Sequence, residues 1–173
     1  MATRKQKSAK SIGDFSPVFA EVARQLRDLP WFAEGWSAVV GENEQVTWLG
    51  LNKSSWQTSG LEVHFESWIK KEQIAKRRVP VAMHVEGGHY TRRYAFNTLF
   101  HADVAHLAQA WDGYVINESG MTRLAISVPM ESDTLVSALV AEFARLAQLG
   151  PFVDRTVDKM RYQRGASTNS DRG

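Results

Sequence analysis

Apolar residues recur along this chain with two different periods, and the switching between them sets out the elements. Val18, Val22, Leu26 and Leu29 fall at helical spacing, which predicts a helix opening at Ser16 and stopped by Pro30. The serine oxygen can accept an orphan amide there, and Pro17 loses nothing at the first helical position, where an N–H has no partner. Period two then takes over. "VTWLGLN" (46–52), "LEVHFESWI" (61–69) and "VPVAMHVE" (79–86) each alternate and predict strands. "HYTRRYAF" (89–96) reads two ways. A hairpin closed by Gly87 and Gly88 would turn Arg92, Tyr90 and Tyr94 toward the core; otherwise the following helix begins early. Its start is placed near Thr98, with Phe100, Val104, Leu107 and Trp111 on one face. "YVINE" and "TRLAISVPM" form a second hairpin around Ser119 and Gly120. Ser132 opens the last helix, "DTLVSALVAEFARLAQL", which ends at Gly150 and Pro151.

Strands grouped in runs predict an α+β fold: a single layer of mostly antiparallel sheet, about five or six strands, packed against about three helices. A chain of 173 residues with 43% apolar content supplies one core, so one domain is expected over 14–154. Charge marks off the rest. Residues 1–10 carry +4 and residues 155–173 carry +3 out of a total of +2, which leaves 11–154 at −5. Both ends are poor in apolar residues, and residues 1–13 and 155–173 are therefore expected to be disordered basic tails. With no apolar run near the roughly 20 residues that cross a bilayer, a soluble cytoplasmic protein without membrane contact is expected. The absence of cysteine removes thiol nucleophiles, disulfides and cysteine-ligated metals. No glycine-rich phosphate loop follows a strand, and the serines lack the strand-to-helix elbow of a hydrolase. Neither a cofactor nor a catalytic residue is assigned.

Two features carry candidate chemistry. Alternation puts Glu62, His64, Glu66 and Trp68 on one face of their strand, and His84 and Glu86 on the outward face of theirs. Were the strands neighbours, imidazoles and carboxylates would share a surface, the donor set for zinc, manganese or iron. Glu62 and Glu66 stand about 13 Å apart along the strand, so one ion can take only a subset, and His64, His84 and Glu86 are the metal candidates. The same alternation serves any half-exposed sheet. His101 and His106, five apart, miss the three- or four-residue spacing that aligns helical ligands.

The second feature is a basic block, Lys70, Lys71, Lys76, Arg77 and Arg78, with Arg92 and Arg93 nearby in sequence. Beside Trp68 it would form a positive rim suited to sugar–phosphate contact and stacking. Trp31, Trp36 and Trp56 fall in loop-like stretches, where they would cover the core or meet a partner. Three functions follow. The leading one is a nonenzymatic nucleic-acid-associated protein, binding weakly and without sequence preference through basic tails and rim. The second is a protein-binding adaptor or chaperone-like homodimer; the element order resembles that of small bacterial type III secretion chaperones. The third is a metal-dependent hydrolase or nuclease on the face from Glu62 to Glu86.

Overall fold

The period-two segments pair into one antiparallel sheet whose register decides which side chains meet. The computed structural model describes residues 11–58, 60–87, 90–117 and 120–169. Its strands are β1 (Trp36–Glu42), β2 (Thr47–Lys53), β3 (Glu62–Ile69), β4 (Arg78–Glu86), β5 (Val115–Ile116) and β6 (Thr122–Pro129), in spatial order β1-β2-β3-β4-β6-β5. The helices are α1 (Ser16–Arg27), α2 (Lys71–Lys76), α3 (Tyr90–Gln109), α4 (Leu135–Ala147) and α5 (Gly150–Asn169). The expected α+β layer is what forms. No single described helix is long and apolar enough to cross a membrane.

Leu49 and Leu51 of β2, Val63, Phe65 and Ile69 of β3, and Val79, Val81, Met83 and Val85 of β4 turn one face inward and are buried. Phe19, Val22 and Leu26 of α1, Phe96, Phe100 and Val104 of α3, and Leu139 and Phe143 of α4 join them in one core, each large side chain contributing about 1.5–3 kcal/mol. The opposite face carries Val39, Trp48, His64, Glu66, Trp68 and His84, none of them in that core. β1 is an edge strand, and its Ala38 carbonyl accepts a hydrogen bond from Arg27 Nη2 at 2.9 Å, which blunts the edge.

Three expectations are corrected, and one connection between strands gains a helical turn. Trp36 lies on β1 and Trp56 in a short turn beside it; both are buried, packed edge to face at 4.9 Å and against Phe65. They are core residues, so neither offers a partner surface. α3 starts at Tyr90, the early-helix alternative, because Phe96, Phe100 and Val104 extend one apolar stripe while Tyr90 and Tyr94 stay exposed. The connection from Lys70 to Arg78 contains the helical turn α2, closed by Arg77 in the left-handed conformation (φ 52°). Finally, residues 155–169 are helical: Pro151 opens α5 instead of terminating α4, and Val153, Thr156, Val157 and Met160 recur at helical spacing and are buried. Asp154 ties this helix to the sheet, accepting from Lys53 Nζ at 2.9 Å and Trp56 Nε1 at 2.6 Å. Of the expected N-terminal tail, residues 1–10 lie outside the described residues, and Ile12 already reaches the core.

Candidate metal centre

β3 and β4 are neighbours, and their register sets His64 directly opposite His84, with Glu62 opposite Glu86 and Glu66 opposite Ala82. Side chains directly across an antiparallel pair have Cβ atoms about 4.5–5.5 Å apart, so the two imidazoles meet on the outer face. Their rings stack, with centroids 5.4 Å apart and planes 8° from parallel, and Trp68 stands edge-on to His84 at 5.3 Å. Glu66 Oε2 lies 3.8 Å from His64 Nε2 and 3.9 Å from His84 Nε2; Glu62 Oε1 lies 3.9 Å from His64 Nδ1. These separations give electrostatic attraction but are too long for made hydrogen bonds. His64 Nδ1 and His84 Nε2 are shielded from solvent and have no hydrogen-bond partner.

The side chains of His64, His84 and Glu66 are 15%, 12% and 25% exposed, and that partial burial shapes their charge. Burial disfavours the imidazolium of His64, but Glu66, with Glu86 and Glu62 behind it, outweighs this and holds its pKa above the ordinary value. For His84, burial comes first and the neighbouring His64 adds repulsion, so its pKa is lowered despite Glu66 and Glu86. The two environments thus push the neighbouring imidazoles in opposite directions.

One donor atom each from His64, Glu66 and His84 lies within 4.8 Å of the others. Two imidazoles and a carboxylate suit zinc, manganese or ferrous iron. Tetrahedral zinc with bonds near 2.1 Å holds its donors about 3.4 Å apart, so Glu66 must move about 0.5 Å closer to each imidazole, and no donor pair need contract by more than about 1.4 Å. The rings must also tilt, because lone pairs lying in parallel ring planes cannot converge on one point.

The strand order thus brings His64 and His84 together, which the sequence left open, and the carboxylate that clusters with them is Glu66, not the candidate Glu86. Cross-strand partners account for the difference. Glu66 faces small Ala82 and can lie over the gap, while Glu86 faces a like charge in Glu62. The basic residues divide. Lys70, Lys71, Lys76, Arg77 and Arg78 are all exposed around α2, with Lys76 paired to Glu72 at 2.5 Å and Arg78 donating to the Ser127 carbonyl. Arg92 and Arg93 begin α3 beyond the other end of β4, whose nine residues span about 26 Å, so the seven cations do not form one rim. His101 is half-buried and His106 exposed, and they share no cluster.

The chain matches none of the protein-family models, curated proteins or solved structures with which it was compared.

Proposed function

We propose that this protein holds a divalent transition metal between His64, Glu66 and His84 and uses it for metal-assisted hydrolysis on the open face of the sheet. The observation that carries this reading is a single carboxylate oxygen within 4 Å of a nitrogen on each of two facing imidazoles. Two further facts support it. The shielded nitrogen His84 Nε2, which faces Glu66, has no hydrogen-bond partner, and buried polar atoms normally do. The site also offers three protein ligands on a face that no described helix covers. Structural zinc sites close with four ligands, whereas three leave a position for water or substrate, and a bound water loses its proton near neutrality.

Elemental analysis of protein purified without chelator tests the reading, together with hydrolysis of an activated phosphodiester in zinc or manganese. Near-stoichiometric metal and a chelator-sensitive rate are expected. Protein that takes up neither ion at high micromolar concentration would overturn it.

A second reading is favoured by the five exposed cations gathered around α2 from Lys70 to Arg78. That cluster suits weak, sequence-independent contact with a phosphate backbone. It needs no metal, and the two readings are separated by independent assays.

A further inference from the structure

β6 departs from regular pairing at one place. Met83 pairs with Leu124, but the next residue of β4, His84, pairs with Thr122, so Arg123 is the extra residue of a bulge. Bulges re-aim side chains. Here Thr122 follows His84 on the outer face while Arg123 joins Leu124 on the inner one, where it is only 3% exposed.

Above it, α3 completes a pocket of about 270 Å³ lined by Tyr94, Asn97, Thr98, His101 and Arg123. Asn97 is 6% exposed, and its Oδ1 has no hydrogen-bond partner. Thr98 donates its hydroxyl to the Tyr94 carbonyl, which leaves Asn97 Oδ1 and His101 as lining polar groups for a ligand. Arg123 is also held by an interaction within the chain, but a guanidinium carries five donors in a fixed fork and serves more than one acceptor. At the mouth, Tyr94 is 61% exposed and stacks with Tyr90 at 6.2 Å, and the Arg93 guanidinium lies over the Tyr90 ring at 5.7 Å. Exposed, mutually stacked tyrosines beside a polar pocket form a platform for a flat ring.

We propose that this pocket binds a ligand with the chemistry of a nucleoside monophosphate: a phosphate, a hydroxyl donor and a flat ring. The phosphate meets Arg123 and His101, a sugar hydroxyl donates to Asn97 Oδ1, and the base lies on Tyr94. A pocket just below the roughly 300–1,000 Å³ of drug-sized sites holds the sugar–phosphate and leaves the ring outside on the tyrosine. The site lies under α3, on the face of the sheet opposite His64 and His84, and does not depend on the metal reading.

Calorimetric titration of the full chain with AMP, ribose 5-phosphate, adenosine and inorganic phosphate tests this. AMP is expected to bind best, and ribose 5-phosphate about tenfold more weakly for want of the stacked ring. Tyr94→Ala, at an exposed position that folding does not need, should remove the advantage of AMP and leave ribose 5-phosphate unchanged. His101→Ala should weaken both. A 5′-phosphorylated oligonucleotide that binds better than AMP would identify the natural ligand as a chain end, and one that binds worse a free nucleotide. The proposal is overturned if AMP produces no heat at millimolar concentration, or if Tyr94→Ala and His101→Ala both leave its affinity unchanged.

Discussion

Ending the chain after Asp154 should destabilise the protein severely, although composition marks the deleted residues as an expendable tail. The truncation removes Thr156, Val157 and Met160 from the core, where they are buried beside α3. At about 1.5–3 kcal/mol for each of the two large apolar side chains, the lost burial amounts to about 3–6 kcal/mol. The exposed Lys159–Asp103 pair at 3.3 Å adds at most about 1 kcal/mol. The Arg161 bond to the Ser55 carbonyl, which ties α5 to the turn before Trp56, is lost as well. Total stabilities of such domains are about 5–15 kcal/mol, so the truncated chain should be marginal or unfolded at room temperature. Urea unfolding followed by tryptophan fluorescence measures the difference, since the core tryptophans Trp36 and Trp56 pack close to Asp154, on the first turn of the same helix. Val157→Ala provides a graded control at about 2 kcal/mol. A truncated chain whose unfolding midpoint matches that of the full chain would refute the docking of α5.

Tyr114 gives a pH prediction. Burial first, and then the adjacent Glu142 carboxylate that its hydroxyl meets at 2.9 Å, push its ionisation well above the ordinary tyrosine range. Above about pH 10 the unfolded chain loses the phenolic proton while the folded chain keeps it, so stability falls as pH rises, and Tyr114→Phe should flatten that decline; an equal slope in both proteins would contradict it. For the phosphate-contact reading, the log of nucleic-acid affinity should fall linearly with log salt, and neutralising Arg77 and Arg78 should reduce the slope by about 0.7–0.9 per lost contact. Neutralising Arg92 and Arg93, at the other end of β4, should leave the slope alone. Full-length protein that shifts no nucleic acid at low salt would remove the reading.

Sequence pattern was most informative where the two faces of an element differ chemically. β3 and β4 place large apolar residues at most alternate positions, with Ser67, Trp68, Pro80 and Ala82 as exceptions, so their existence and the outward direction of His64 and His84 could be read directly. β1 was hidden because it is an edge strand whose outward positions include the exposed Val39 and whose inward ones include small Ala38, which blurs the alternation. α5 was hidden by Pro151, which reads as a stop after Gly150 but works as a first helical residue, and by the polar Thr156 in its buried stripe. The adjacency of the two histidines is a matter of strand order, which no local pattern encodes. The choice of Glu66 over Glu86 depends on what each faces across the sheet. Arg123 carried no signal, because a bulge is a property of pairing between β4 and β6 and not of either strand alone.

Glu66, and not Glu86, is proposed to complete a metal site with His64 and His84. Calorimetric titration of zinc into the wild type, Glu66→Gln and Glu86→Gln tests it most directly. One ion per chain is expected, with affinity reduced about 100-fold by Glu66→Gln, the loss of a direct ligand, and within about threefold by Glu86→Gln, the loss of a nearby charge only. Absence of zinc binding by the wild type, or equal losses in the two variants, would rule this site out.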